Sequence, residues 1–293
     1  MTKLGVWRTL FTNDFDTNRY LYHYTNFESA LKILNTDTIL FSKIDNTNDP
    51  SEAKTKIIFS PNELNYSECE KKVKIITDYF MKYNSSIQLL CLSMDMQLTK
   101  EDKQNIVSKM THKDIFYNIS GRGFALPRMW AQYGGNNRGV CFIVNKDKLL
   151  QLVLEHTAIF KGYPVKYTPF YDGYEMTADK MEKIIKKISV VSNGELALLK
   201  LLEEDDEFLI HNYFEKNENW RNENEFRILT FVDKSTTDSR CRIPNFVSCL
   251  EGIVLGEQID ETSEKVIRIF ADSIGLKVDI KRIMFNNRLY KLI

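Results

Sequence analysis

In the stretch WRNENEFRILTF, Glu223, Glu225 and Arg227 alternate, so on an extended strand all three side chains share one face while Phe226 and Ile228 take the other. Such a row is either a solvated salt-bridge ladder or the charged wall of a cleft. The strongly apolar continuation into ILTF suits an interior strand, whose end then carries charge into a site. A second stretch, MWAQYGGNNRGVCF, combines flat rings at Trp130 and Tyr133 with glycines that allow close backbone approach, and Arg138 offers a bidentate donor to an anion. A glycine-rich turn with an aromatic cap on the core would also produce it. A third, YHYTNFE, sets His23 between Tyr22 and Tyr24, with Thr25 next, just ahead of a helix N-terminus where unpaired amides favour anions and polar ligands. His23 is either a core histidine satisfied by a carbonyl or a ligand-facing one. Finally, Asp45, Asp49 and Glu52 around the Asn48-Asp49-Pro50 turn could bind a hard cation, although asparagine and aspartate also serve such turns structurally.

These residues need elements to hold them. Phe27, Ala30, Leu31 and Leu34 recur at helical spacing, and Thr25 with Glu28 has the form of a capping box. TILFSKI reads as a strand, Ser60-Pro61 with Glu63 as the start of a long helix, and SIQLLCLSM as a buried strand. Residues 95–120 read as a loop with a short helix. A short helical turn from Pro127 ends at Gly134 and Gly135, and GVCFIV is the next strand. Asn145 caps a helix to about residue 156, with the strand FKGYPVKYT after it. Residues 175–216 are the most helical part and read as an insertion or lobe broken at Asn193-Gly194; its acidic run, Glu203 to Glu207, has the character of a solvated face. EFRILTFVD, RIPNFVS, GIVLG, a helix over 261–274 and a last strand pair complete the chain. The expectation is one α+β domain over residues 1–293, with a mixed, mainly antiparallel β core flanked by helices.

Composition removes several function classes. The 293 residues hold 40 basic and 40 acidic side chains, which gives no bulk attraction to nucleic acid. The first residues lack the apolar core of a secretory signal, and no stretch approaches the roughly 18 apolar residues of a membrane span. A cytoplasmic protein with no membrane partner is expected. Five scattered cysteines, at 69, 91, 141, 241 and 249, form no C-x-x-C pair, and three of them sit in apolar, strand-like surroundings (LLCLS, GVCFIV, VSCLEGIVL), so a reducing compartment and no structural zinc are expected. P-loop, Rossmann, α/β-hydrolase and zincin signatures are missing.

YHYTNFESALKIL, ILFSKIDNTNDPSE, RMWAQYGGNNRGVCF, WRNENEFRILTF and GIVLG, in that order, resemble the bacterial family catalogued as domain of unknown function 2971, over about residues 21–257. That resemblance implies an effector or toxin-like role in mobile and phage-defence contexts. A second similarity is to ADP-ribosyltransferases, which carry His or Arg on a first strand, an aromatic residue in the middle and a Glu-x-Glu strand near the end. It implies NAD as a substrate, with no metal. His23, with Tyr24 and Thr25, would hold the adenosine-side ribose, and Tyr133 or Trp130 would stack on nicotinamide. Glu225 would meet the nicotinamide ribose, Glu223 would orient the nucleophile, and Arg138 or Arg227 would hold the pyrophosphate. The acceptor would be a protein or nucleic acid. Two alternatives stay open: a metal-dependent nuclease or phosphodiesterase using Asp45, Asp49, Glu52 and Glu223, and a non-enzymatic sensor of a nucleotide or phage protein.

Overall fold

A computed structural model describes residues 19–49, 51–52, 54, 57–59, 66–97, 101, 119, 121–157, 160–169, 173–190, 200, 204–232, 240–286 and 289–293. In chain order the strands are β1 (Tyr20–Thr25), β2 (Thr38–Leu40), β3 (Ser42–Lys43), β4 (Ile57–Phe59), β5 (Ile87–Ser93), β6 (Val140–Asn145), β7 (Phe160–Pro164), β8 (Lys166–Thr168), β9 (Tyr174–Met176), β10 (Glu215–Asn217), β11 (Glu225–Phe231), β12 (Arg242–Pro244), β13 (Leu250–Leu255), β14 (Asp279–Asn286) and β15 (Leu289–Leu292). The α-helices are α1 (Phe27–Thr36), α2 (Tyr66–Tyr83), α3 (Pro127–Gln132), α4 (Lys146–His156), α5 (Ala178–Val190), α6 (Asp206–Tyr213) and α7 (Glu261–Ser273).

The main sheet runs β15-β14-β13-β6-β1-β5-β11-β7, with β3 also on β5. Its pairings are antiparallel except β13 with β14, as a mainly antiparallel α+β fold requires. The pairs β8–β10, β2–β12 and β4–β9 form small separate ladders. Among the described residues, no helix is long and apolar enough to cross a membrane.

Strand alternation sorts the core. Leu21 of β1, Phe142 and Val144 of β6, Leu90 and Leu92 of β5, and Phe226 and Ile228 of β11 bury one face under Ala30 and Leu34 of α1, Leu149 and Val153 of α4 and Ile267 of α7. The opposite face carries two clusters. Tyr20, Tyr22, Tyr24, Cys141 and Ile143 pack with Phe124 and Trp130, while Ile87, Leu89 and Leu229 pack under Ile76 and Phe80 of α2, Met181 and Ile184 of α5, and Phe208 and Leu209 of α6. The described parts of the helical segment therefore share a core with the sheet. The break at Asn193-Gly194, the cap at Ser60-Pro61 and nearly all of the 98–118 loop lie outside the described residues.

One local reading is corrected. Thr25 is the last residue of β1, opposite Val140, and the helix cap is Asn26, whose Oδ1 accepts the Ser29 amide at 2.8 Å. Asparagine serves this position at least as well as threonine, and Thr25 is already committed to the sheet.

Candidate active site

A break in the sheet creates the site. β1 meets β5 only at Tyr22 opposite Ser93, and β3 meets the same edge of β5 only at Leu89 and Gln88. β5 is paired along its whole length to β11 on its other edge. Between the two short contacts, Leu90 to Leu92 have no strand partner on the open side among the described residues, and a cavity of about 200 Å³ occupies the gap. Because it passes through the sheet, it is lined from both faces: His23, Leu40, Leu90 and Leu92 on one, and Cys91, Tyr133, Glu223, Glu225 and Arg227 on the other.

Direct pairing fixes these faces. Glu225 lies opposite Ser93 and Arg227 opposite Cys91, and Ser93 lies opposite Tyr22, so Glu225, Arg227 and Tyr22 share a face. His23 lies opposite Phe142 and therefore projects to the other face, reaching the cavity through the gap. The expected three-residue strand row is also corrected. Glu223 ends a 3-10 helix (Glu218–Glu223), Asn224 is left-handed at φ 44°, and β11 begins at Glu225. Asparagine tolerates that conformation. The turn still returns the Glu223 carboxylate to the cavity.

The charges form one buried network. Arg227, 1% exposed, donates from Nε to Glu225 Oε1 at 2.8 Å, from Nη2 to Glu225 Oε2 at 3.0 Å and to Glu52, and from Nη1 to the Tyr213 carbonyl at 2.8 Å. Lys216 of β10 donates to Glu223 Oε2 at 2.8 Å and Glu225 Oε2 at 3.3 Å. Tyr133 donates to Glu223 Oε1 at 2.8 Å, and the Tyr167 hydroxyl accepts the Glu225 amide at 2.9 Å. Burial alone would raise the pKa of Glu225, but Arg227 and Lys216 outweigh it and bring it down to about 2. Burial would lower that of Lys216, yet Glu225, Glu52 and Glu223 together push it up. Glu225 is thus a fixed carboxylate at any physiological pH.

His23 is neutral. Desolvation lowers its pKa to about 4 against an opposing contact from the Cys91 backbone, and its Nδ1 is buried with no hydrogen-bond partner among the described residues. Cys91 opens to solvent through the cavity, but desolvation by the surrounding atoms and the Glu225 charge hold its thiol well above the usual range.

Several expected contributors are placed elsewhere. Trp130 is fully buried, donates to the Phe124 carbonyl at 2.8 Å and meets Tyr24 edge-on at 5.1 Å; it is a core residue, and Tyr133 is the aromatic on the cavity wall. Arg138 is exposed in the loop after α3 and does not line the cavity. The donors of Arg227 end on protein acceptors, so it positions carboxylates and leaves none of these contacts to an anion. Tyr24 lines the cavity with its ring while its hydroxyl donates to the Gly123 carbonyl at 2.6 Å; Thr25 is buried at the strand end, off the cavity wall. Nor do Asp45, Asp49 and Glu52 converge. Asp45 is exposed, Asp49 accepts from the Ser51 amide and hydroxyl, and Glu52 joins Arg227. In the acidic run, Asp205 caps α6 and Asp206 pairs with Lys161 at 2.7 Å. Lys216, Tyr167 and Cys91 are site residues that the motifs did not single out. Lys216 follows an apolar helix and resembles any surface lysine; only the chain's return beside β8 buries it.

Fold and site define an α+β protein whose mainly antiparallel sheet opens around an ionic, nucleoside-sized cavity. Residues 129–228 match the sequence model of the family described as "Protein of unknown function (DUF2971)", the family that the chain's motifs resemble. The matched segment carries Tyr133, Lys216, Glu223, Glu225 and Arg227. No curated protein matches the chain, and no solved structure does.

Proposed function

We propose that the chain is an ADP-ribosyltransferase-like or NAD-consuming enzyme, with NAD bound at the sheet gap and Glu225 as the catalytic carboxylate. One observation carries this reading: an ionised carboxylate, clamped by Arg227 and Lys216, lines a small cavity beside an aromatic hydroxyl and a neutral imidazole. Cleavage of the nicotinamide–ribose bond sends its electron pair to the ring nitrogen, so nicotinamide leaves uncharged and positive charge develops at C1′. A preorganised carboxylate that accepts a hydrogen bond from the 2′-hydroxyl, and stays ionised, stabilises that charge without moving. An incoming nucleophile, water or an acceptor group on a protein or nucleic acid, then bonds to C1′ while its proton passes to solvent. Glu223, held by Tyr133 and Lys216, orients it. The ring of Tyr133 offers a stacking surface for nicotinamide, and the Nδ1 of His23, unpaired among the described residues, offers a ribose hydroxyl a partner. The family resemblance supports an effector or toxin-like setting in phage defence.

The test is mass-spectrometric detection of nicotinamide released from NAD by the purified chain, with and without lysate as acceptor source. Release from the wild type, lost in Glu225→Gln and unaffected by a chelator, is the expected result. No release under either condition overturns the reading.

A further inference from the structure

Three buried carboxylates, Glu52, Glu223 and Glu225, surround two cations, Lys216 and Arg227, leaving one formal negative charge in excess at the cavity among the described residues. That excess has a place. Both oxygens of Glu225 accept from Arg227, and both of Glu223 are taken, by Tyr133 and Lys216. Glu52, 3% exposed and on the cavity lining, gives Oε1 to Arg227, but its Oε2 is buried with no donor among the described residues. A buried carboxylate oxygen left without a donor is costly, and a ligand that brings positive charge or an N–H or O–H group removes that cost.

Two further observations narrow the ligand. The cavity, at about 200 Å³, is smaller than the roughly 300–1,000 Å³ of sites that enclose drug-sized ligands. It has room for a nucleoside, with Leu40, Leu90, Leu92 and Met129 as apolar wall for a flat ring. Among the described lining residues the cations are Lys216 and Arg227, both committed to carboxylates, and Arg138 lies off the wall.

We propose that the cavity recognises the cationic N-ribosyl-pyridinium end of its substrate, through Glu52 Oε2 and the surplus negative charge, and makes no contact with phosphate. The choice of a pyridinium nucleoside among organic cations rests on the function proposed above; the selection for positive charge does not. The uncharged dihydropyridine form is rejected because it leaves the excess charge uncompensated, and ADP-ribose because it keeps the ribose but lacks the cationic ring.

Calorimetric titration of the wild-type chain with nicotinamide riboside, its dihydro form, ADP-ribose and NAD tests this directly. Expected are affinities for nicotinamide riboside within about threefold of NAD, at least tenfold weaker binding of the dihydro form, and no binding of ADP-ribose. In Glu52→Gln the preference for the oxidised ring should fall below threefold. Equal affinity for the two ring states, or ADP-ribose binding as well as NAD, overturns the proposal, and the wild-type series decides it even if the variant does not fold. The two readings fail separately. Nicotinamide release with strong competition by ADP-ribose sinks the phosphate-free cavity and keeps the enzyme; charge-selective binding without release does the reverse.

Discussion

At Arg227 a single buried guanidinium ties Glu225, Glu52 and the Tyr213 carbonyl together on the cavity wall. Removing one partner of such a network leaves charge buried and unpaired, so Arg227→Met should cost about 3–5 kcal/mol in urea denaturation. Glu225→Gln keeps the shape and balances two remaining carboxylates against two cations, so its stability loss should be the smaller while nicotinamide release disappears. His23 makes a separate prediction. Its folded pKa of about 4 lies below the ordinary value near 6.5, so the unfolded chain binds the extra proton between those values. Stability should therefore fall as pH drops from about 6.5 to 4, by about 3 kcal/mol for a shift of this size. Glu225 acts lower, losing its contribution as pH falls below the ordinary carboxylate range toward about 2. Thermal melts of the wild type and His23→Gln across pH 4–7 should show the upper window flattened in the variant. At this scale the sequence exposed residue types and little about their partners. Glu225 and Arg227 were legible because strand alternation is local. Trp130 was misleading because an indole looks the same whether it faces a ligand or the Phe124 carbonyl, and only the fold distinguishes the two.

Among the elements, β1 shows what periodicity can and cannot convey. Its six residues alternate cleanly, and its pairing with β6 is complete from Tyr20–Asn145 to Thr25–Val140. Its departure from β5 after one contact is a tertiary event with no local signal. The same alternation that identifies β1 places His23 and Glu225 on opposite faces, so their meeting depends on the gap. The turn following α3 holds that geometry. A Cβ on Gly139 would lie 2.2 Å from the Thr25 carbonyl oxygen, and one on Gly256 would lie 2.2 Å from the Asn137 carbonyl oxygen. Both collisions are with backbone, which cannot swing aside. Gly139→Ala should destabilise by about 1–3 kcal/mol, as overpacking does, and should displace the end of β1. Chemical denaturation checks the first effect, and weakened ligand binding at matched folded fraction checks the second.

Across the whole molecule the ionic network sits on the sheet face shared by two apolar clusters, the one around Trp130 and the one around Phe80 and Phe208. Each supplies part of the site. The helix bearing Met129 comes from the first, and the Tyr213 carbonyl that receives Arg227 comes from the second. Phe208→Ala should cost about 3–5 kcal/mol and, through α6, lower affinity at the cavity. Urea melts beside ligand titration would test whether the two losses travel together. The α+β class, the order of elements and most strand boundaries were legible because apolar runs, caps and turn residues announce themselves locally. The identification of the helical segment as an insertion captured its composition and missed its burial, since Met181, Ile184 and Leu209 reveal their shared core only once β5 and β11 lie beneath them.

The gap also gives the molecule a chemical handle. Of its five cysteines, Cys91 is exposed, Cys241 is half-buried and the other three are buried, and Cys91 opens into the cavity beside Glu225. A small disulfide-forming electrophile tethered there would place whatever it carries against the carboxylate proposed for catalysis. Because Glu225 and desolvation hold the sulfur protonated, capture should be slow at neutral pH and quicken in alkali. The rate at which that sulfur is lost to the reagent becomes a gauge of occupancy that requires no turnover and no labelled substrate.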